Sequence, residues 1–364
     1  MSDLEHERES QGVSLDEWQE ATRHCFALRV ARVVPETHDA VSIVLEIPEE
    51  LAEEFVYEAG QFLSFKVPYQ GRVLGRSYSL SSSPQTDGEH KVTVKRVEDG
   101  RISNWMNDRV REGSTLMVVP PAGLFVLDPD SPRDLLLFAG GSGITPCISI
   151  LKTALATTAR RTLLVYANRD ARSVIFEREL ESLRERHPDR LRISHSLDDR
   201  QGFLGPEDVR REVGDALDRD VYLCGPAAFM DTVEHTLREM GVARERIHIE
   251  RFVSPPDEHE APPAVPDGDS GEAPETIELV LDGETRDVPY RAGEPVLEAA
   301  RRAGLDPPFS CEEGYCSCCM AKLEGGEVQM AANDCLTPEL IEEGWVLTCQ
   351  SRCVGGKIRI VYPD

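Results

Sequence analysis

From Phe26 to about Val126 the chain runs in short, β-rich apolar stretches, FALRVARVV, AVSIVLEI, FLSFKVP, KVTVKRV and TLMVVPP, parted by Gly, Pro and Asp turns. That rhythm predicts an antiparallel β-barrel. From Arg133 to about Phe252 the pattern changes to apolar strands, DLLLFAG, RTLLVYA, LRISHSL, VYLCG and RIHIERF, alternating with helical segments such as PCISILKTALATT, FERELESLRER and FMDTVEHTLREM. Alternation of this kind predicts an α/β domain, a parallel sheet covered by helices. Between Ser254 and Pro274 the run SPPDEHEAPPAVPDGDSGEAP has no apolar periodicity and reads as a flexible, solvated linker. The remainder opens with a hairpin, TIELVLDGETRDVPY, turned at Asp282-Gly283, followed by a short helix at PVLEAARRAG, a strand pair around MAKLEGGEVQM and a closing strand KIRIVY. The expected division is an acidic N-terminal tail (1–22), a barrel (23–128), an α/β domain (129–253), the linker (254–274) and a C-terminal domain (275–364).

A length of 364 residues accords with several cores. The formal charge of −26 argues against nucleic acid or anionic lipid as partners. No stretch reaches the roughly 18 apolar residues of a membrane span, and the acidic start MSDLEHERES lacks the marks of a signal peptide, so a cytoplasmic monomer without membrane contact is expected. Ten cysteines in such a chain point to metal or redox chemistry before disulfides.

Most of those cysteines lie between Cys311 and Cys353. In SCEEGYCSCCM, Cys311, Cys316 and Cys319 follow the C-x4-C-x2-C spacing of a plant-type 2Fe-2S cluster, whose fourth ligand is then Cys349 or Cys353. Gly314 allows the tight loop that aims N–H groups at the sulfurs. Cys318 falls outside the spacing and is expected to project away. The competing reading is a zinc site of Cys316, Cys319, Cys349 and Cys353, which leaves Cys311 unexplained.

Within the barrel, RSYSLSSSP places Arg76 to meet a phosphate, Tyr78 to stack along a flavin and Ser79 to hydrogen-bond near the reactive flavin nitrogen, with Ser77 between them. In VKRVEDGRISNWM, Val94 and Lys95 end a strand, and Gly100 and Ser103 lie where a helix N-terminus can cradle a pyrophosphate. Two phosphate-capable loops favour FAD over FMN. In the α/β domain, GGSGITP gives a G-x-G-x-x-P turn in which Gly141, Ser142, Gly143 and Thr145 can approach a dinucleotide pyrophosphate. Cys224, Gly225 and Pro226 end another strand, as candidates for a nicotinamide contact. Asn168, Arg169 and Asp170 end RTLLVYANRD. There the Asp170 carboxylate could accept from a ribose 2′-OH and so favour NADH, while Arg169 and Arg172 leave NADPH open.

These motifs in this order, RSYS, GGSGITP, CGP and CEEGYCSCC, resemble ferredoxin-NADP reductase-type flavoproteins fused to a C-terminal plant-type ferredoxin, from about His24 onward. Within that superfamily VYANRDARSVIFERELESL, HIERF, PFSCEEGYC and GWVLTCQSR most resemble the reductase components of 3-ketosteroid 9α-hydroxylases, with those of phenylacetyl-CoA epoxidases next. The resemblance implies FAD in the barrel, a nicotinamide domain and a β-grasp ferredoxin domain that feeds a terminal oxygenase, either a Rieske or a diiron enzyme. It implies Cys349 as the fourth cluster ligand. It also implies Ser79, Cys224 and Glu250 as the catalytic set, with Phe252 near the flavin face, and it marks Cys318, Cys335 and Cys353 as departures. Such an assembly solves an electron-counting problem, because nicotinamide delivers two electrons as hydride whereas an oxygenase metal centre accepts them singly. A Rieske acceptor at about −150 to +300 mV would lie downhill of a cluster near −400 mV. A non-enzymatic alternative, a zinc-stabilised dinucleotide sensor, would make the flavin strand accidental.

Overall fold

The computed structural model describes residues 3–252, 273–309, 311, 312, 314, 316–333, 335, 336 and 338–363. They belong to two compact units, Met1–Phe252 and Val253–Asp364. Residues 254–272 of the expected linker lie outside the described residues, while Ala273 already packs on the core of the second unit.

The first unit begins with a six-stranded antiparallel sheet: β1 (Phe26–Thr37), β2 (Ala40–Glu46), β3 (Phe62–Tyr69), β4 (Arg72–Ser79), β5 (His90–Lys95) and β6 (Thr115–Ala122), in the order β4-β3-β6-β1-β2-β5. Alternate residues, among them Leu28, Val30, Leu63, Phe65, Val92 and Val94, turn inward and share one core. The outer strands meet where Leu80 bridges Val92 and the Ser81 N–H donates to Lys91 O at 2.7 Å, which closes the barrel and removes an exposed edge. The acidic N-terminal segment forms two helices, Asp3–Ser10 and Leu15–Ala21. It serves the β3–β4 hairpin: Gly71 N–H donates to Gln11 O at 2.7 Å and Val73 N–H to Glu17 Oε1 at 3.2 Å.

Five parallel strands follow: β7 (Leu135–Gly140), β8 (Thr162–Asn168), β9 (Leu191–Leu197), β10 (Asp220–Gly225) and β11 (Ile247–Arg251), ordered β11-β10-β7-β8-β9. All of β8 is buried, because helices cover both faces of the sheet. The strand order reverses between β7 and β10, and parallel sheets open their ligand crevice at the carboxyl ends of such a pair. The barrel is fastened to this sheet by buried polar contacts. Lys152, on the helix Ile144–Thr157, donates to Ser81 O (3.0 Å), Asp87 (2.5 Å) and Glu179 (2.9 Å), and Ser149 Oγ donates to Ser82 O at 2.6 Å.

The second unit is a β-grasp fold, a mixed sheet of β12 (Thr276–Leu281), β13 (Glu284–Pro289), β14 (Met320–Met330), β15 (Trp345–Leu347) and β16 (Ser351–Val361), ordered β13-β12-β16-β14-β15, packed on the helix Val296–Arg302. Asp282 (φ 52°) and Gly283 (φ 72°) make the hairpin turn expected of Asp-Gly. MAKLEGGEVQM does not form the expected strand pair. It is one bulged strand, β14, whose register against β16 shifts at Leu323/Gly325, Gly325/Glu327 and Glu327/Val328. Gly325-Gly326 here makes a bulge, because Gly326 (φ 80°) lies against Gly356 (φ 78°) of β16 and leaves no room for a reversal.

Candidate redox centres

In the first unit the predicted glycines meet at the topological switch. A Cβ on Gly143 would stand 2.1 Å from Cys224 O, and one on Gly225 would stand 2.8 Å from Phe229 Cδ1 and 3.0 Å from Gly140 Cα. The ends of β7 and β10 therefore touch through backbone. Gly141 takes φ 52°, and its carbonyl accepts from Tyr166 Oη at 3.1 Å. Thr145 Oγ1 donates to Ser142 O at 3.0 Å and is consumed in the turn. Lys95 reaches across from β5 towards Gly141, its Nζ 3.7 Å from where a Cβ would sit.

Cys224 is fully buried, and burial, followed by Cys147 and Glu250, pushes its thiol well up. Glu250 stands beside it in register on β11, and enclosure of its carboxyl raises it to about 7. Phe252 follows, 45% exposed, at the end of the unit. Asn168 closes β8 with an amide that is sealed from solvent and meets the Tyr166 hydroxyl in a contact too poor in geometry to satisfy either of its polar atoms. An under-satisfied buried amide beside a glycine cradle is the kind of feature a polar ligand completes.

Asp170 takes part in a local turn. Its Oδ1 accepts from both Ser173 N–H and Ser173 Oγ at 3.0 Å, capping the turn Ala171–Ser173, while Oδ2 lies 3.7 Å from Arg169 Nε and 4.0 Å from Arg172 Nη2. Two further residues were missed by pattern. Asp39, in the β1–β2 turn, lies between Lys95 (4.0 Å) and Arg169 (3.6 Å), and Tyr166 supports the Gly141 turn. Neither belongs to a motif.

Along β4, Arg76 bonds only the Gly75 carbonyl (2.6 Å) and meets no carboxylate among the described residues, leaving its charge for an anion. Ser77 Oγ shares a hydrogen bond with Ser64 Oγ at 2.6 Å, the Tyr78 ring lies 5.9 Å from Phe65, and Ser79 is buried at the strand end. Gly100 caps the helix Arg101–Arg109, and Ser103 Oγ turns inward to accept from Val97 N–H at 3.2 Å. Val94 sends its side chain into the barrel core and its carbonyl accepts from Asn107 Nδ2.

In the second unit four sulfurs gather at the loop before β14. Cys311 N–H donates to Cys316 Sγ at 3.4 Å, and the Cys319 and Cys349 thiols hydrogen-bond each other. Contact with Cys319 comes first among the causes that raise the Cys349 thiol, followed by burial and by the neighbouring Cys319, Cys311 and Cys316. Thr348 holds this pair together, its N–H and Oγ1 both 3.0 Å from Cys319 O. The sulfurs lie close together, with Cys316 touching both Cys311 and Cys318 and with Cys349 near Cys319, Cys311 and Cys316. A binuclear cluster takes four thiolates, two on each iron, so this all-sulfur donor set fits it. Cys353 lies apart, in the core with Ile358 and Ile360, its N–H donating to Tyr290 Oη at 2.9 Å. Cys318 does not project away: it is buried and touches Cys316. Cys335 Sγ donates to Gly314 O at 3.4 Å. Glu312 pairs with Arg301 at 3.3 Å, and Glu313 lies outside the described residues.

Family models match the three parts in turn: an oxidoreductase FAD-binding domain over residues 27–127, an oxidoreductase NAD-binding domain over 137–235 and a 2Fe-2S iron-sulfur cluster binding domain over 279–354. The chain is 43% identical to the ferredoxin reductase component of 3-ketosteroid-9-alpha-monooxygenase of Rhodococcus rhodochrous, over 92% of this chain and 96% of that protein. It is 34% identical to one subunit of the 1,2-phenylacetyl-CoA epoxidase of Escherichia coli K12, over 89% of this chain and 94% of that subunit. Among solved structures, phthalate dioxygenase reductase matches with a TM-score of 0.58 and 27% identity, covering 93% of this chain and 98% of that one.

Proposed function

Because this chain belongs to the family of oxygenase ferredoxin-reductase components with FAD-, NAD- and 2Fe-2S-binding domains, we propose that it carries electrons from NADH to a terminal Rieske oxygenase of the 3-ketosteroid 9α-hydroxylase kind. The observation that carries the reading is the 43% identity to such a component along 92% of the chain, against 34% to the epoxidase subunit. Bound FAD would supply hydride acceptance and single-electron release, and a 2Fe-2S cluster a one-electron relay.

The chain's own residues do the positioning. Arg76, with no carboxylate partner among the described residues, is assigned to an FAD phosphate, Tyr78 to the ring system and Ser79 to the flavin edge. Gly100 opens a helix N-terminus to the pyrophosphate. Gly141 and Gly143 admit the nicotinamide dinucleotide, Asn168 offers its under-satisfied amide, and Lys95 brings a cation to the Gly141 turn. Cys224 and Glu250 border the nicotinamide, with Glu250 able to hold a proton near neutrality because its carboxyl is enclosed. The preference for NADH rests on Asp170 and on Asp39, whose carboxylate offsets Arg169 where a 2′-phosphate would need it. Cys311, Cys316, Cys319 and Cys349 are the proposed cluster ligands, and Cys353 is a core thiol.

The segment 254–364 holds 23 acidic and 8 basic residues, over half of the chain's net charge of −26, so a basic face on the oxygenase is the proposed docking partner. The test is reconstitution. The purified chain is mixed with a 3-ketosteroid 9α-hydroxylase oxygenase or with a diiron epoxidase, and NADH-dependent product is measured. Turnover with the epoxidase alone would overturn the steroid assignment.

A further inference from the structure

The residue after Cys349 reaches back over the cluster loop. Gln350 Nε2 donates to Glu312 O at 2.8 Å and to Cys349 Sγ at 3.7 Å, and an amide NH2 has one hydrogen for each acceptor. Glu312 directly follows Cys311 and holds φ 58°, a conformation that needs outside support in a residue other than glycine. Gly314 lies under the same side chain, since a Cβ there would come within 3.1 Å of Gln350 Cγ. The backbone of Gln350 is itself fixed: its N–H donates to Leu347 O at 2.9 Å and its carbonyl accepts from Ala331 N–H at 3.0 Å. One rigid side chain therefore ties the segment carrying Cys311 to the segment carrying Cys349.

We propose that Gln350 is a positioning residue that sets the reduction potential of the cluster as well as its retention. The proposal rests on the assignment of Cys349 as a ligand. Reduction adds one negative charge to a site already carrying four thiolates, and an N–H aimed at a thiolate sulfur stabilises the more negative state more strongly. Removing that donor makes the reduced form less favourable and moves the potential down. Removing the bond to Glu312 O frees the Cys311 side of the loop and speeds loss of iron. The two effects come from different hydrogens of one group, so they are separable.

The experiment uses the full chain with its cluster, in wild type, Gln350→Leu, Gln350→Glu and Cys349→Ser forms. Potential is read by redox titration followed by the EPR of the reduced cluster, and retention by bleaching of the visible spectrum under chelator. For Gln350→Leu the one-electron equilibrium is expected to move about tenfold against reduction, about 59 mV, with iron released about tenfold faster. Gln350→Glu, which replaces a donor by an acceptor at the same reach, is expected to move the potential further in the same direction. A purely structural clamp would speed release and leave the potential alone. An unchanged potential in whichever of the two variants holds its cluster overturns the proposal. Cys349→Ser separates this failure from failure of the ligand assignment, because a wild-type cluster spectrum in that variant removes the assignment itself.

Discussion

Gly143 presses its backbone onto that of Cys224: a Cβ at position 143 would lie 2.1 Å from the Cys224 carbonyl oxygen and 2.7 Å from Gly225 N. The obstacle is main chain, so no rotamer change relieves it, and the two strand ends at the crevice must separate. Gly143→Ala is expected to cost about 2–3 kcal/mol of stability in the first unit. It should lower NADH-dependent flavin reduction more than tenfold while leaving the cluster spectrum of the second unit unchanged. Stopped-flow flavin bleaching and the visible spectrum check both halves.

Glu250 gives the first unit a pH signature. Enclosure raises its carboxyl from the ordinary range to about 7, so between about pH 4.5 and 7 the folded chain holds a proton that the unfolded chain releases. Its contribution therefore favours folding at the acid end of that window and is lost as pH rises through about 7. Glu250→Gln should abolish this slope and gain stability relative to wild type at pH 8, by roughly 1–3 kcal/mol. Urea midpoints of both proteins at pH 5.5 and pH 8 measure it, and parallel midpoints would contradict it.

Lys152 joins barrel to sheet through Asp87 and Glu179 with only 4% of its side chain exposed. Burial alone would raise the Asp87 carboxyl, but the Lys152 hydrogen bond and charge, with the Ser83 N–H, take it below its ordinary value. That stabilisation is present above the ordinary carboxylate pKa and is lost as pH falls through the lowered one. Lys152→Met leaves Asp87 without its cation and Glu179 with Lys91 alone, at 3.6 Å, and is expected to cost about 3 kcal/mol near pH 7. The deficit should shrink towards pH 3, as thermal unfolding across that range will show.

Docking by charge predicts that electron delivery to the oxygenase slows steeply as salt rises, whereas flavin reduction by NADH changes far less. The paired state of Glu312 moves the expected contact away from that residue, so Glu312→Gln should alter the coupled rate by less than twofold. A salt-independent coupled rate, measured where transfer between the proteins is limiting, rules the docking out.

Much of this architecture was legible because it is local. Period-two runs mark the barrel strands, apolar strands alternating with helical segments mark the parallel sheet, and the spacing of Cys311, Cys316 and Cys319 depends only on loop length. Other features depend on which distant segments meet. Asp39 acquires its place from Lys95 and Arg169, and Lys152 looks like any helical lysine until Asp87 and Glu179 close on it. Gly325-Gly326 has the chemistry of a turn, and only pairing with β16 makes it a bulge. Asp170 has the chemistry of a ribose acceptor, and only the folded turn shows that Ser173 also draws on its Oδ1.

The proposed scheme requires one chain to take hydride from NADH and to deliver single electrons to a cluster held by Cys311, Cys316, Cys319 and Cys349. Anaerobic titration of the purified chain with NADH, followed by visible absorption and EPR together, measures both steps at once. Flavin bands are expected to bleach and a reduced-cluster EPR signal to rise towards one spin per chain, retained in Cys353→Ser and absent in Cys349→Ser. Flavin bleaching with no cluster signal, or a signal that survives in Cys349→Ser and vanishes in Cys353→Ser, would contradict it.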